Sequence, residues 1–195
     1  MVRLVWVLAL FLLALTAGAP VALAHTVGGL AGGFVSGFTH PLFGWDHVVA
    51  MVAVGMWGAV LGPPAIWLLP IVFPLVMAVG GAMGVIGVPL PGVEIGIALS
   101  AVALGALVAF AARPPLWIAA VIVGCFAVFH GHAHGTELPH AANAVAFSVG
   151  FVLATGFLHL CGIAIGLLVR WPKGAVLVRV GGGVIAGTGI AFLVT

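Results

Sequence analysis

The chain is poor in charge and contains no tyrosine: only 4% of its 195 residues are Asp, Glu, Lys or Arg. A soluble domain needs about a quarter of its surface to be charged, so a water-facing fold is excluded. The two cysteines, Cys125 and Cys161, lie inside apolar segments, which argues against a disulfide. A net charge of +2 does not indicate nucleic acid as a partner. Because 65% of the residues are hydrophobic, the solvent of this protein must be lipid.

Residues 1–24 have the pattern of a secretory signal peptide. Arg3 supplies the positive start, an apolar stretch follows, and Ala22-Leu23-Ala24 is a small-x-small cleavage site. We predict that cleavage leaves His25 as the first residue of a single mature domain, 25–195, with its amino terminus in the periplasm. The alternative is an uncleaved first helix, since the apolar stretch is only slightly too short to span lipid.

The mature chain divides at proline and glycine positions into six apolar stretches, each long enough to cross a bilayer as a helix. An unsatisfied backbone is too costly in lipid, and the stretches lack the alternation of barrel strands. We therefore predict an all-α membrane helix bundle with six transmembrane helices. Glycine pairs such as Gly131/Gly135 and Gly162/Gly166 predict close packing between helices. The predicted spans are residues 44–62, 64–87, 92–112, 115–134, 140–169 and 175–194.

Segment 26–39 is apolar but short and rich in glycine, so its length disfavours a full crossing. With six spans and the amino terminus outside, the loops that hold Arg113 and Arg170/Lys173 both lie in the cytoplasm, as the positive-inside rule requires. A seventh span would reverse both loops. We therefore predict a short non-spanning helix near residues 26–39, in a multi-pass protein of the bacterial inner membrane.

Histidines and carboxylates are concentrated in two stretches that the predicted topology places on the same side of the membrane. In the first stretch, Pro41 and Gly44 are predicted to break the helix between two imidazoles. This bend lets His40 turn back toward Asp46 and His47, which gives two nitrogens and one carboxylate around a point. Asp46 also suits the first turn of a helix, where the helix dipole favours a carboxylate.

The second stretch ends the fourth predicted span. Helical spacing puts His130, His134 and Glu137 on one face, while His132 points elsewhere. Two imidazoles and a carboxylate on one face form a ligand set for nickel, zinc, cobalt, iron or copper. The spacing does not choose among these metals.

Other candidate residues lie outside the two motif faces. Glu94 is predicted to lie beside both stretches, and a carboxylate near hydrocarbon usually marks a site or a pathway. After cleavage, His25 would offer both its α-amine and its imidazole to an ion at the mouth. Isolated histidines more often bond to a neighbouring helix, so we interpret His132, His140 and His159 as structural. His159 nevertheless lies deep enough to be a later relay point.

Two complete motifs in these stretches resemble those of the HupE/UreJ family, small membrane permeases linked to hydrogenase and urease maturation. One is His-x5-Asp-His at residues 40–47, and the other is Phe-His-Gly-x-Ala-His-Gly-x-Glu at residues 129–137. The signal sequence, the six-span pattern and the chain length also fit. The resemblance implies uptake of Ni2+, in some members Co2+, and a functional role for the motif residues, with Glu94 as a further member.

We expect a secondary or facilitated permease for which Ni2+ is the transported substrate, supplied to a hydrogenase or urease; Co2+ and Zn2+ are the alternatives. The chain has no Gly-x4-Gly-Lys-[Ser/Thr] loop and therefore no means of hydrolysing ATP. The membrane potential can draw a dication inward instead. We expect no enzymatic activity and no prosthetic group. The expected partners are the metal ion and the lipid bilayer, and a homo-oligomer is compatible with the sequence.

Two other classes of protein remain open. A haem-binding electron-transfer protein would use histidines on facing helices as axial ligands of iron. A membrane metallohydrolase would use a bound ion to activate water, with Glu94 or Glu137 as the base. No His-Glu-x-x-His motif is present, which disfavours the hydrolase.

Overall fold

The structure is a computed structural model that describes residues 30–138 and 143–194. The predicted signal peptide, His25 and His140 lie outside the described residues. Within the described ranges the chain forms helices and no strand, so the expected all-α fold is confirmed. The helices are α1 Leu30–Phe43, α2 Trp45–Leu61, α3 Ala65–Val85, α4 Val93–Ala109, α5 Leu116–Thr136, α6 Ala144–Gly166 and α7 Pro172–Val194, with a 3-10 helix at Leu167–Arg170 after α6.

Each predicted span contains one helix, but the helices differ in length. In the described part of the chain, four are long and apolar enough to cross a membrane alone: α3, α5, α6 with its 3-10 extension, and α7. The bent pair α1 and α2 adds a fifth if it counts as one span. Helix α4 is apolar but has only 17 residues. By length and composition the structure therefore has four to five candidate spans, and the predicted six are not confirmed.

Helix α1 is the short helix expected near residues 26–39, and it ends at Phe43, beyond the predicted limit. It continues through Pro41, so the prediction that Pro41 breaks the helix is wrong. Pro41 lies in the last turn, where its missing N–H removes one hydrogen bond close to the natural end of the helix. The break is at Gly44 alone, which has an extended backbone with φ −84° and ψ 101°. Helices α1 and α2 are bent by 79° at this residue.

Glycines let neighbouring helices pack backbone against backbone, as the sequence predicted. Gly131 and Gly135 of α5 lie against α3, where an added Cβ would overlap the carbonyl oxygens of Met77 and Gly81. Helix α6 packs on α2 in the same way through Gly162. Such contacts leave little freedom for a helix to rotate about its axis. The direction in which the α5 histidines point is therefore fixed by the α3–α5 contact.

Basic residues are gathered at one end of the bundle, which we call the basic end. Arg113 follows α4, and Arg170 and Lys173 lie at the connection between α6 and α7. Arg179 of α7 donates a hydrogen bond of 2.8 Å to the carbonyl oxygen of Ala109, at the last residue of α4. The two basic loops thus share one end of the bundle, as predicted.

All three acidic residues lie at the opposite end, which we call the carboxylate end. Asp46 and Glu94 are in the first turns of α2 and α4, and Glu137 directly follows α5. Helix α2 runs from this end to the basic end, because Trp57 near its last turn donates a hydrogen bond of 3.0 Å to the carbonyl of Ala112. The bundle is therefore chemically polarised along its helices.

Candidate metal site

Four imidazoles from three helices form one cluster at the carboxylate end. His40 comes from α1, His47 from α2, and His130 and His134 from α5. The ring centroids of His47 and His134 are 4.4 Å apart, and those of His40 and His134 are 5.0 Å apart. His47 also contacts His130, with a centroid separation of 4.9 Å. The two histidine stretches of the sequence therefore meet in space.

The outermost group of the cluster has the spacing of a metal site. His40, His134 and Glu137 each offer one ligand atom, and these atoms lie within 4.8 Å of one another. Nε2 of His40 is 3.3 Å from Oε2 of Glu137, and Nδ1 of His134 is 4.0 Å from the same oxygen. Ligand atoms that bind one ion at about 2.0–2.2 Å lie slightly closer to one another than these three atoms do. Small side-chain movements would therefore complete the site. No other group of three His, Cys, Asp or Glu residues in the described chain has this spacing.

Exposure falls steadily from the outer group to the inner part of the cluster. The side chain of Glu137 is 56% exposed and that of His40 is 37% exposed. The side chain of His134 is only 8% exposed, and His130 is fully buried. The cluster thus leads from a solvent-accessible carboxylate to a fully buried imidazole.

Asp46 is paired with its neighbour His47 rather than with His40. Its Oδ1 lies 2.7 Å from Nδ1 of His47 and accepts a hydrogen bond from the backbone N–H of His47 at 2.8 Å. The predicted arrangement of His40, Asp46 and His47 around one point is not formed. The bend at Gly44 is the reason, because it lays α1 against α6, where Gly37 packs on the backbone of Phe147, and the His40 side chain then reaches His134 and Glu137 instead.

The pairing with Asp46 leaves one ring nitrogen of His47 available. If Nδ1 carries the proton that Asp46 accepts, Nε2 carries the lone pair. That Nε2 is buried and has no hydrogen-bond partner among the described residues. A carboxylate that holds the far nitrogen of a ligating histidine is a common arrangement at metal sites, since it fixes the tautomer and the ring orientation.

Ser100 of α4 plays a corresponding part for His130, and sequence reasoning missed it. The hydroxyl donates to the carbonyl of Ile97 at 2.6 Å, so its oxygen is free to accept from Nε2 of His130 at 2.9 Å. Nδ1 of His130 then carries the lone pair, and it is buried without a partner in the described structure. Nothing in the sequence around a single serine in an apolar helix indicates such a contact.

Aromatic side chains form the walls of the cluster. Phe151 contacts the His134 ring at a centroid distance of 4.2 Å, and Phe73 contacts the His130 ring at 5.5 Å. A cleft of about 320 Å³ between α3, α5 and α6 reaches His134 and is lined mainly by apolar side chains such as Phe147. Apolar walls exclude water and strengthen electrostatic interactions within the cluster.

The remaining predicted residues fall outside this cluster. Glu94 is exposed at the carboxylate end and belongs to none of the described ion pairs or to the outer ligand group. His132 points away, as predicted, and its Nε2 is 2.7 Å from the carbonyl oxygen of Val88. That bond fits the structural interpretation of His132. His25 and His140 are not among the described residues.

Comparison with known proteins relates the chain to one family. It matches the family described as HupE / UreJ protein over residues 12–192. It is also 47% identical over 173 residues to Protein HupE of Rhizobium leguminosarum bv. viciae, an overlap of 88% of this chain and 91% of the relative. No solved structure matches it.

Proposed function

This chain belongs to the HupE/UreJ family of metal-ion permeases, and on that premise we propose that it takes up Ni2+ across the bacterial inner membrane for a hydrogenase or urease. Membership in a transporter family argues against an enzyme. The observation that carries the proposal is the group formed by His40, His134 and Glu137 at the open end of a buried histidine cluster. Imidazole and carboxylate ligands suit nickel, and they suit cobalt and zinc as well.

We propose that the ion first loses water to Glu137 and His40, the most exposed members of the cluster. The negative charge of Glu137 lowers the cost of bringing a dication toward hydrocarbon. The ion then passes to His134, and from there to His47 and His130, whose free ring nitrogens are already oriented. Asp46 and Ser100 act as positioning residues for these two imidazoles.

The polarised bundle supports a direction for this movement. Basic loops are retained in the cytoplasm, so we propose that α2 to α7 each cross the membrane and that the carboxylate end faces the periplasm. The inside-negative potential contributes roughly 2.3 kcal/mol per charge per 100 mV, and a dication gains twice that amount. Uptake would therefore need no coupled ion.

The haem alternative fits this geometry poorly. The imidazoles contact one another directly, with ring centroids of His47 and His134 4.4 Å apart. A porphyrin held by two axial histidines needs a flat slot between the rings, and rings in contact leave no such slot. A transported ion of atomic size is the ligand that such a cluster accommodates.

The test is uptake of radioactive Ni2+ into proteoliposomes that contain the purified protein and carry an inside-negative potential. His134→Gln removes one imidazole of the outer group. His132→Gln is the matched control, because it removes a buried imidazole of the same helix that bonds to Val88 instead. We expect uptake to fall at least about tenfold in His134→Gln and to persist in His132→Gln.

Parallel measurements with Co2+ and Zn2+ define the cargo. A higher rate for either ion than for Ni2+ would replace nickel as the substrate while keeping the permease assignment. Absence of uptake for all three ions would overturn the permease proposal. Equal uptake by wild-type and His134→Gln proteins would overturn the site.

A further inference from the structure

A fifth buried histidine lies below the cluster, nearer the basic end. His159 of α6 is only 1% exposed, and within the described chain neither of its ring nitrogens makes a hydrogen bond of ordinary geometry. An imidazole without partners in an apolar interior is costly. Its presence there calls for a physical reason beyond packing.

The backbone of α3 supplies one contact for this ring. Pro74 has no N–H, so the carbonyl oxygen of Pro70, four residues earlier in α3, lacks its helical partner. This carbonyl interacts with the His159 imidazole. No hydrogen bond of ordinary geometry joins the two groups, so both ring nitrogens of His159 stay without an ordinary partner in the described structure.

A second polar group without a partner accompanies His159. Thr155 lies one turn earlier on α6, and residues four apart share a helix face. Its side chain is fully buried, and in the described structure its hydroxyl oxygen makes no hydrogen bond. Threonine in a helix normally satisfies its hydroxyl on the carbonyl one turn before. One face of α6 therefore presents an unpartnered hydroxyl oxygen and an unpartnered imidazole.

Phe73 connects this position to the cluster. Its ring centroid is 5.5 Å from that of His130 and 5.5 Å from that of His159. Along α6, the eight residues from Phe151, which contacts His134, to His159 correspond to about 12 Å of helix. His159 therefore lies one aromatic ring beyond the cluster, further from the carboxylate end.

We propose that His159 and Thr155 form a second, deeper binding station for a divalent transition-metal ion. The ion reaches it from His130 past the ring of Phe73. The inference rests on the proposed function, because it extends the path of the same cargo. The imidazole provides the nitrogen ligand, and the threonine hydroxyl provides an oxygen that can bind the ion directly or through one of its waters.

The simplest alternative is that His159 only satisfies the Pro70 carbonyl. His159→Gln separates the two roles, because the glutamine amide can still donate to that carbonyl but removes the imidazole. His159→Asn provides a second amide of different length if the first variant does not accumulate in the membrane. His132→Gln is again the control for loss of a buried imidazole elsewhere.

The first measurement compares binding with transport. We expect His159→Gln to bind Ni2+ at the outer group with wild-type affinity in detergent, while uptake into proteoliposomes falls at least about tenfold. His132→Gln should retain both. Wild-type uptake by the folded His159 variants would overturn the proposal.

The second measurement does not depend on transport, so it also applies if the wild-type protein takes up no metal. Titration with Co2+, followed by its visible absorption bands, is carried out on a protein whose outer group is removed by His40→Ala and Glu137→Gln. We expect residual Co2+ binding whose stoichiometry falls by one ion per protein when His159→Gln is added, while His47, His130 and His134 account for what remains. An unchanged stoichiometry after His159→Gln would show that the deeper station does not exist.

Discussion

The carboxylate of Asp46 holds Nδ1 of His47 at 2.7 Å and accepts the backbone N–H of the same residue at 2.8 Å. This double contact fixes the ring of His47 and leaves Nε2 directed into a buried space without a partner in the described structure. Asp46 is therefore placed to position the ring of His47.

Asp46→Asn should weaken Ni2+ binding and uptake by about 10–100-fold, the range observed when a residue that orients a metal ligand is lost. Asparagine has nearly the same shape as aspartate, but it lacks the negative charge that fixes the tautomer of His47. Equilibrium binding in detergent and proteoliposome uptake measure the effect. Thr39→Val is the control, because it removes a hydroxyl that bonds only to the α1 backbone. Unchanged binding by Asp46→Asn would contradict this role.

Ser100→Ala should destabilise the protein by about 1–3 kcal/mol, because it leaves the Nε2–H of buried His130 without an acceptor. Metal uptake should fall as well, since the ring is then free to rotate. Ser148→Ala is the matched control: this exposed serine of α6 bonds only to the Ala144 carbonyl. Thermal unfolding in detergent distinguishes the two variants, and equal stability would rule out the contact.

Gly131→Ala should lower both stability and uptake, because its Cβ would overlap the Met77 carbonyl and force α3 and α5 apart. The separation would move His130 and His134 away from His47. Gly187→Ala of α7 is the control, since a Cβ there meets no atom within 4 Å and alanine favours a helix by up to about 1 kcal/mol. Comparable behaviour of the two variants in thermal unfolding and uptake would mean that the α3–α5 contact does not control the site.

Metal binding should weaken as pH falls through the histidine range, between about pH 7.5 and pH 5.5. An imidazole binds an ion only through an unprotonated nitrogen, so protons compete with the metal for imidazole ligands in general. Fewer imidazoles are neutral at lower pH, so the affinity for metal decreases as the pH decreases. Equilibrium binding of Ni2+ across this range checks the prediction, with thermal unfolding at each pH to show that the protein remains folded. Binding that does not depend on pH would speak against imidazole ligands.

The helix positions could be predicted from the sequence because an apolar stretch in lipid has one way to satisfy its backbone. The two histidine stretches could also be placed together, since the positive-inside rule assigned them to the same side. The course of the chain at Pro41 could not be predicted. Whether a proline ends a helix depends on its place in the final turn and on what lies beyond it, here the extended Gly44.

The partners of the histidines were harder to predict than their location. Spacing along α5 placed His134 beside Glu137, and Nδ1 and Oε2 of these residues are 4.0 Å apart, because one helix determines that relation. His130 lies deeper and contacts His47 instead. Ser100 contacts His130 across two helices, and only the rotation and depth of both helices bring them together. The neighbours of His159 on α3, such as Phe73, could not be predicted either, because they depend on how α3 packs against α6.

Basic residues at one end of the bundle also govern how the protein is inserted during synthesis. Positive side chains resist transfer across the membrane, so on the proposed topology Arg113, Arg170 and Lys173 decide which compartment His40 and Glu137 sample. None of the three basic residues lies near the cluster. If the proposed function holds, the compartment from which cargo is captured is thus determined, before any metal binds, by residues that do not touch it.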